Sequence, residues 1–255
     1  MPYNEALRPF KQKVTTKDGS QTLYSSEFDE CYHSTNDGAL NETLQKHIIP
    51  AFTLVPQKEN LVILDICFGL GYNTLATIYY CKLHKISTKI KIISPELDEA
   101  LVRSLKDFVY PEEFNILKPI IEQLSQNLYY EDEQFKIEIL IGDARVTLPN
   151  IEQKIDIIYQ DAFSPSKNPL LWTREYFSML RELCNYDVIM TTYSSATPVR
   201  MGMLESGFKP YAPPKSNVRS GTIATLGSLE LEFIDMELKL ERNPNAKSLK
   251  DSQYQ

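Results

Sequence analysis

The segment 61–75, LVILDICFGLGYNTL, constrains this chain more than any other stretch. Leu61 to Leu64 is an apolar run with β-branched members, the length of a buried strand, and it stops at Asp65. Gly69 and Gly71 then open a stretch that reads as helix. Strand, glycine turn and helix N-terminus in that order make a nucleotide-binding corner. Glycines let the backbone approach a ligand closely, and the first free N–H groups of the helix point at whatever sits there. A dinucleotide fingerprint needs a third glycine three residues after the second, and none is present. The pattern is instead acidic-x-Cys-x-Gly-x-Gly, and Cys67 is expected to keep ordinary backbone angles because a Cβ disfavours positive φ.

At 255 residues the chain is long enough for one large α/β domain with a full core. Its 42% hydrophobic and 24% charged residues are those of a globular protein, and no apolar run reaches the length of a membrane helix. The first residues, MPYNEALRPFKQKV, lack the apolar core of a signal peptide, so a cytoplasmic location with no membrane partner is expected. Cys31, Cys67, Cys81 and Cys184 lie far apart, and His33, His47 and His84 form no cluster with them, so neither a disulfide framework nor a metal is expected. The net charge of −7 argues against binding nucleic acid through overall charge. Locally the balance reverses: residues 165–219 hold more basic than acidic groups, among them Lys167, Arg200, Lys215 and Arg219.

Along the chain, residues 1–35 read as an extension in which Asp18-Gly19 turns a hairpin between Lys13–Thr16 and Thr22–Tyr24. Leu40, Leu44, His47-Ile48 and Phe52 recur at helical spacing. Lys89–Ser94 reads as the second core strand and delivers Glu96 at its C-terminal end, where an acidic side chain can accept from ribose hydroxyls. Lys136–Ile141 is a third strand, ending at Asp143-Ala144, and Ile155–Gln160 a fourth, ending at Asp161. After Asp161 come Phe163, Pro165, Lys167 and Pro169. Two prolines around a lysine exclude helix or central strand and leave a shaped loop at the ligand edge. Trp172–Leu183 is predicted helical and Val188–Thr192 a strand. Thr222–Leu226 and Leu229–Ile234 around Gly227-Ser228 read as a C-terminal hairpin. The main domain is expected over 36–240, with 241–255 as a polar, frayed tail.

The order of these strand-end signals resembles class I S-adenosylmethionine (AdoMet)-dependent methyltransferases across residues 60–235. More narrowly, Asp161-Ala-Phe163-Ser-Pro165-Ser-Lys167-Asn-Pro169 with Trp172, and Asn36-Asp37-Gly38-Ala39-Leu40-x-Glu42 upstream, resemble the methyltransferase part of MnmC-type enzymes, which make 5-methylaminomethyl-2-thiouridine at the tRNA wobble position. The resemblance implies a Rossmann-like, mostly parallel seven-stranded sheet with a small N-terminal hairpin extension and a C-terminal antiparallel hairpin. It implies AdoMet as cofactor, held by Asp65, Phe68, Gly69, Gly71, Asn73, Glu96, Asp143, Ala144 and Asp161, with Asp161 also catalytic. The tRNA would meet Phe163, Lys167, Pro169, Trp172, Arg200, Lys215 and Arg219, with Trp172 stacking on the uracil. Family members can carry a fused FAD-dependent oxidoreductase; no second glycine fingerprint stands in these 255 residues, so a methyltransferase without flavin is expected. A polyamine-type methyl or aminopropyl transferase and a non-catalytic partner subunit are the alternative functions.

Overall fold

A computed structural model of the chain describes residues 11–254. Its first unit is a small antiparallel sheet of β1 (Lys11–Thr15), β2 (Gln21–Ser25) and β3 (Glu30–Cys31). The turn between β1 and β2 is tied by Asp18, whose carboxylate accepts from the Ser20 amide and hydroxyl and from Thr16 Oγ1. Asp18 also explains Gly38: a Cβ there would lie 2.1 Å from the Asp18 carboxyl carbon. The hairpin is thus pressed onto the start of α1 (Ala39–Thr43), which continues through a π-helical turn at Leu44–Ile48 into α2 (Ile49–Leu54).

The main sheet is built around β4 (Asn60–Ile66), where all but Asn60 and Val62 are buried. Alternation sends Leu61 and Ile63 into one apolar layer and Leu64 and Ile66 into the other, as a strand covered on both faces requires. The other strands are β5 (Lys89–Glu96), β6 (Tyr129–Glu131), β7 (Phe135–Ile141), β8 (Ile155–Gln160), β9 (Cys184–Thr192), β10 (Lys209–Tyr211) and β11 (Thr222–Thr225). They run in the order β10-β11-β9-β8-β4-β5-β7-β6, with the five central strands parallel. Among the described residues the main sheet therefore has eight strands, not seven, the additional one being the short edge strand β6. Helix α3 (Tyr72–Leu83) follows β4, α4 (Glu99–Ser104) follows β5, and α5 (Lys118–Asn127) precedes β6. Helices α6 (Ala144–Thr147), α7 (Arg174–Leu183), α8 (Thr197–Glu205) and α9 (Met236–Arg242) complete the set.

Two expectations at the C-terminal end are corrected. The antiparallel pair is β10 with β11, across the loop 212–221, and not two strands around Gly227-Ser228. Residues 229–234 contribute one isolated bridge, Phe233 to Tyr211, made by two backbone bonds in which the Ala212 amide donates to the Glu232 carbonyl and the Ile234 amide to the Pro210 carbonyl. The polar stretch after Arg242 is docked, not frayed. Asp251 binds the Arg145 guanidinium and Thr173 Oγ1, and the Arg174 amide donates to the Leu249 carbonyl.

The chain leaves β4 toward β5 and β7 on one side, then returns to lay β8 on the other. Helices on opposite faces diverge there, so a crevice opens beyond the C-terminal ends of β4 and β8. Among the described residues no helix is long and apolar enough to cross a membrane.

Candidate active site

That crevice is a cavity of about 1060 Å³. The glycine corner forms its floor. Cys67 has φ 66°, Gly69 φ 54° and Gly71 φ 72°, so the turn bends through the left-handed region three times. The expectation for Cys67 is therefore wrong: closing strand to helix in so few residues forces a positive φ even where a Cβ is present. Gly71 does not line the cavity; a Cβ there would lie 2.9 Å from the Phe68 ring, and it is Phe68 that faces the ligand space. The Gly71 amide donates to the Phe68 carbonyl at 2.7 Å, closing the turn.

Glu96, at the end of β5, is buried yet lines the cavity. Its two oxygens accept from the Gly69 amide at 2.7 Å and the Asp98 amide at 2.8 Å, which joins the corner to the neighbouring strand. Burial raises its carboxyl above the usual range, and those amides pull against the rise. Asp143 lies exposed on the wall and caps α6 by accepting from the Arg145 amide; Ala144 lines the cavity beside it.

Asp161, one residue past β8, faces the same space. Its Oδ2 accepts from Asn73 Nδ2 at 2.9 Å, and its Oδ1 lies 3.4 Å from His47 Nε2. Burial alone would raise its carboxyl, but His47, His33 and Asn73 outweigh it and hold Asp161 below the ordinary carboxylate value. Asp65 is fully buried beneath α3, outside the cavity, and accepts from Asn73 Nδ2 and Thr74 Oγ1. Burial pushes it up to about 7.

The loop after Asp161 is clamped by the N-terminal sheet. Phe163 stacks on Phe28 with centroids 4.4 Å apart and meets the edge of Tyr32 at 4.9 Å. Glu30 accepts from the Ser164 amide and hydroxyl, and Lys167 pairs with Asp29. Lys167 and Pro169 shape this loop without lining the cavity, while Arg219 is exposed at its edge and Lys215 is exposed outside it.

Two predicted substrate contacts are corrected. Trp172 has no exposed surface, and its Nε1 donates to the Phe163 carbonyl at 2.8 Å, so it braces the loop from behind and cannot stack on a base. Arg200 is buried and spends its guanidinium on Thr222 Oγ1 and the Gly221 carbonyl, which fixes β11 to α8. The structure also brings in residues not expected there. Asp37 and Glu42 bind Lys46 on the cavity wall, and Tyr193 donates to the Ala162 carbonyl. His47 sits behind Asp161; the signal for it was its place among apolar residues on the inward helix face.

An open parallel sheet with a glycine corner, a buried acid at the end of the next strand and a ligand crevice at the switch point define an AdoMet-dependent methyltransferase. The sequence agrees: residues 111–226 match a family model described as S-adenosyl-L-methionine-dependent methyltransferase. The crystal structure of MnmC2 from Aquifex aeolicus superposes with a TM-score of 0.83 at 31% identity, covering 95% of this chain and 79% of that one. The chain belongs to the MnmC-type methyltransferase family. An uncharacterised protein of Methanocaldococcus jannaschii is 29% identical over 198 residues, 76% of this chain and 53% of that protein. A tRNA 5-methylaminomethyl-2-thiouridine biosynthesis bifunctional protein MnmC from Azoarcus sp. is 30% identical over 205 residues, 74% of this chain and 31% of the relative. The chain thus spans about half the length of the first of these curated relatives and about a third of the second.

Proposed function

We propose that this protein transfers a methyl group from AdoMet to the primary amine of 5-aminomethyl-(2-thio)uridine at the tRNA wobble position, giving the 5-methylaminomethyl nucleoside. Support comes from one observation above all: an ionised, half-shielded carboxylate, Asp161, stands in the same cavity as the glycine corner. The named activity of the MnmC relatives supplies the substrate class.

The residues present fit AdoMet. Glu96, held by two amides, keeps lone pairs for ribose hydroxyls, and Asp143 and Ala144, on the cavity wall, would offer an adenine edge an acceptor and an apolar contact. Phe68, Gly69 and Asn73 bound the remainder of that end. AdoMet supplies a methyl group activated by its sulfonium.

An alkylamine has a pKa of about 10.4, so fewer than about one molecule in a thousand is neutral at pH 7. Asp161 receives the ammonium as a partner of opposite charge and orients the nitrogen toward the cofactor end. Held below the ordinary carboxylate value, it is a weak base, so its contribution is orientation, and the amine proton leaves to water. Phe163, fixed by Phe28 and Tyr32, walls this end against bulk solvent. Arg219 at the rim and Lys215 beyond it offer charge to tRNA phosphates.

The test is incubation with methyl-labelled AdoMet, a free polyamine and tRNA carrying 5-aminomethyl-2-thiouridine, followed by analysis of the nucleosides and the polyamine. Label in 5-methylaminomethyl-2-thiouridine is the expected result. Label only in a free polyamine, or none at all with AdoMet bound, would replace the reading with a polyamine transferase or a non-catalytic subunit.

A further inference from the structure

His47 lies in the π-helical turn Leu44–Ile48, 1% exposed and outside the cavity lining. Its Nδ1 is 2.9 Å from Thr191 Oγ1 on β9. Its Nε2 is 3.4 Å from Asp161 Oδ1 and has no other partner among the described residues. A buried ring nitrogen without a full hydrogen bond is costly, and the atom it is aimed at is the carboxylate assigned to the amine. Two lone pairs would repel across that gap, so Nε2 carries a hydrogen; Thr191 then donates its hydroxyl hydrogen to Nδ1 when the ring is neutral.

We propose that His47 is a positioning residue for methyl transfer: fixed by Thr191, it donates to Asp161 Oδ1 while Asn73 donates to Oδ2, so that the carboxylate stays ionised and keeps one orientation toward the substrate amine. The proposal rests on the amine-methylation reading above. The 3.4 Å separation leaves room for the contact to shorten when an ammonium pulls on the carboxylate.

The other groups that face this pair come from several elements. His33 follows β3, Asp65 and Cys67 come from β4 and the corner, and Tyr193 follows β9; all interact electrostatically with Asp161. The Tyr159 ring meets the His47 ring edge-on at 5.8 Å. It is His47 whose ring nitrogen, with no other partner among the described residues, lies 3.4 Å from the Asp161 carboxylate.

The test compares His47→Phe, which fills the ring space without a donor, with His47→Gln, whose amide nitrogen can occupy the Nε2 position. The first readout is the carbon-13 titration of the Asp161 carboxyl in the protein without substrate, assigned with Asp161→Asn. The second is kcat on aminomethyl-uridine tRNA alongside calorimetric AdoMet affinity. His47→Phe is expected to raise the Asp161 midpoint and lower kcat on the order of 10²-fold, the scale of a misplaced reacting group, with AdoMet affinity unchanged. His47→Gln is expected to recover most of both. If His47→Phe does not fold, Thr191→Val removes the partner that sets the tautomer and is expected to move both readouts the same way. An unmoved Asp161 midpoint, a parallel loss of kcat and AdoMet affinity, or a glutamine variant no better than phenylalanine overturns the proposal. Failure of the wild-type protein to methylate this tRNA removes the substrate assignment instead, and the carboxyl titration still decides whether His47 governs Asp161.

Discussion

Asn73 joins two carboxylates: its Nδ2 donates at 3.2 Å to Asp65 Oδ1 and at 2.9 Å to Asp161 Oδ2. One side chain in the first turn of α3 thereby couples the buried end of β4 to the cavity end of β8. Burial, with a smaller contribution from the Asp161 charge, raises Asp65, and the same amide opposes that rise.

Asn73→Ala is expected to destabilise the protein by about 2 kcal/mol, since the buried Asp65 and the half-shielded Asp161 each lose a donor. The Asp161 carboxyl is expected to move up as well, because Asn73 is one of the groups that lower it. Denaturant unfolding measures the first effect and carboxyl carbon-13 titration the second.

Asp65 predicts a pH dependence of stability. Burial, offset in part by Thr74 and Asn73, raises its folded value to about 7 against an ordinary 3.8. Between those values the folded state binds more protons than the unfolded one, so stability falls as pH rises through the window and levels off above it. The loss is on the order of 4 kcal/mol at most, from about 1.4 kcal/mol per pKa unit. Denaturation midpoints of wild type and Asp65→Asn, compared from about pH 5 to about pH 8, should diverge in that sense. Parallel curves would place the titrating group elsewhere.

Gly71→Val is expected to cost AdoMet affinity by an indirect route. A side chain at φ 72° is strained and would drive the Phe68 ring, 2.9 Å from the added Cβ, into the cavity. Thermal stability and calorimetric affinity should therefore fall together. Phe68→Ala in the same background should return part of the affinity by removing the displaced ring.

Under the tRNA reading, Lys215→Ala with Arg219→Ala should weaken tRNA binding, reduce its log–log salt slope by about two and leave AdoMet affinity intact. Arg200→Ala behaves differently, since it strips Thr222 and the Gly221 carbonyl of a buried partner. Its effect is expected in stability, with no separate change in salt slope.

The strand, glycines and strand-end acids were legible because each depends on local sequence: an apolar run, a turn residue, a residue just past a strand. Gly69, Glu96, Asp143 and Asp161 all fall into that class, whereas Asp65, expected at the cofactor, faces the core outside the cavity. What local sequence does not carry is direction. Trp172 and Arg200 have the right types for a nucleic-acid contact, yet both turn inward, because a neighbouring carbonyl of this fold lies within their reach. His47 was visible as an inward-facing residue, but its partner Asp161 is 114 positions away in the chain, and only the packing of the 39–54 helical segment against β9 brings them together. Cys67 broke a rule of thumb about side chains and positive φ because the length of the turn, set by the two flanking elements, left no alternative.

The bracing of the acceptor loop by Trp172 has an optical consequence. This is the single tryptophan of the chain. It is shielded from solvent, bonded to the carbonyl of Phe163 and in edge contact with Tyr193, which itself holds the Ala162 carbonyl. Two of the three residues that begin the loop are therefore wired to one fluorophore or its immediate neighbour. Any rearrangement of that loop as substrate enters changes the field on the indole, and the unlabelled protein reports it in its own emission.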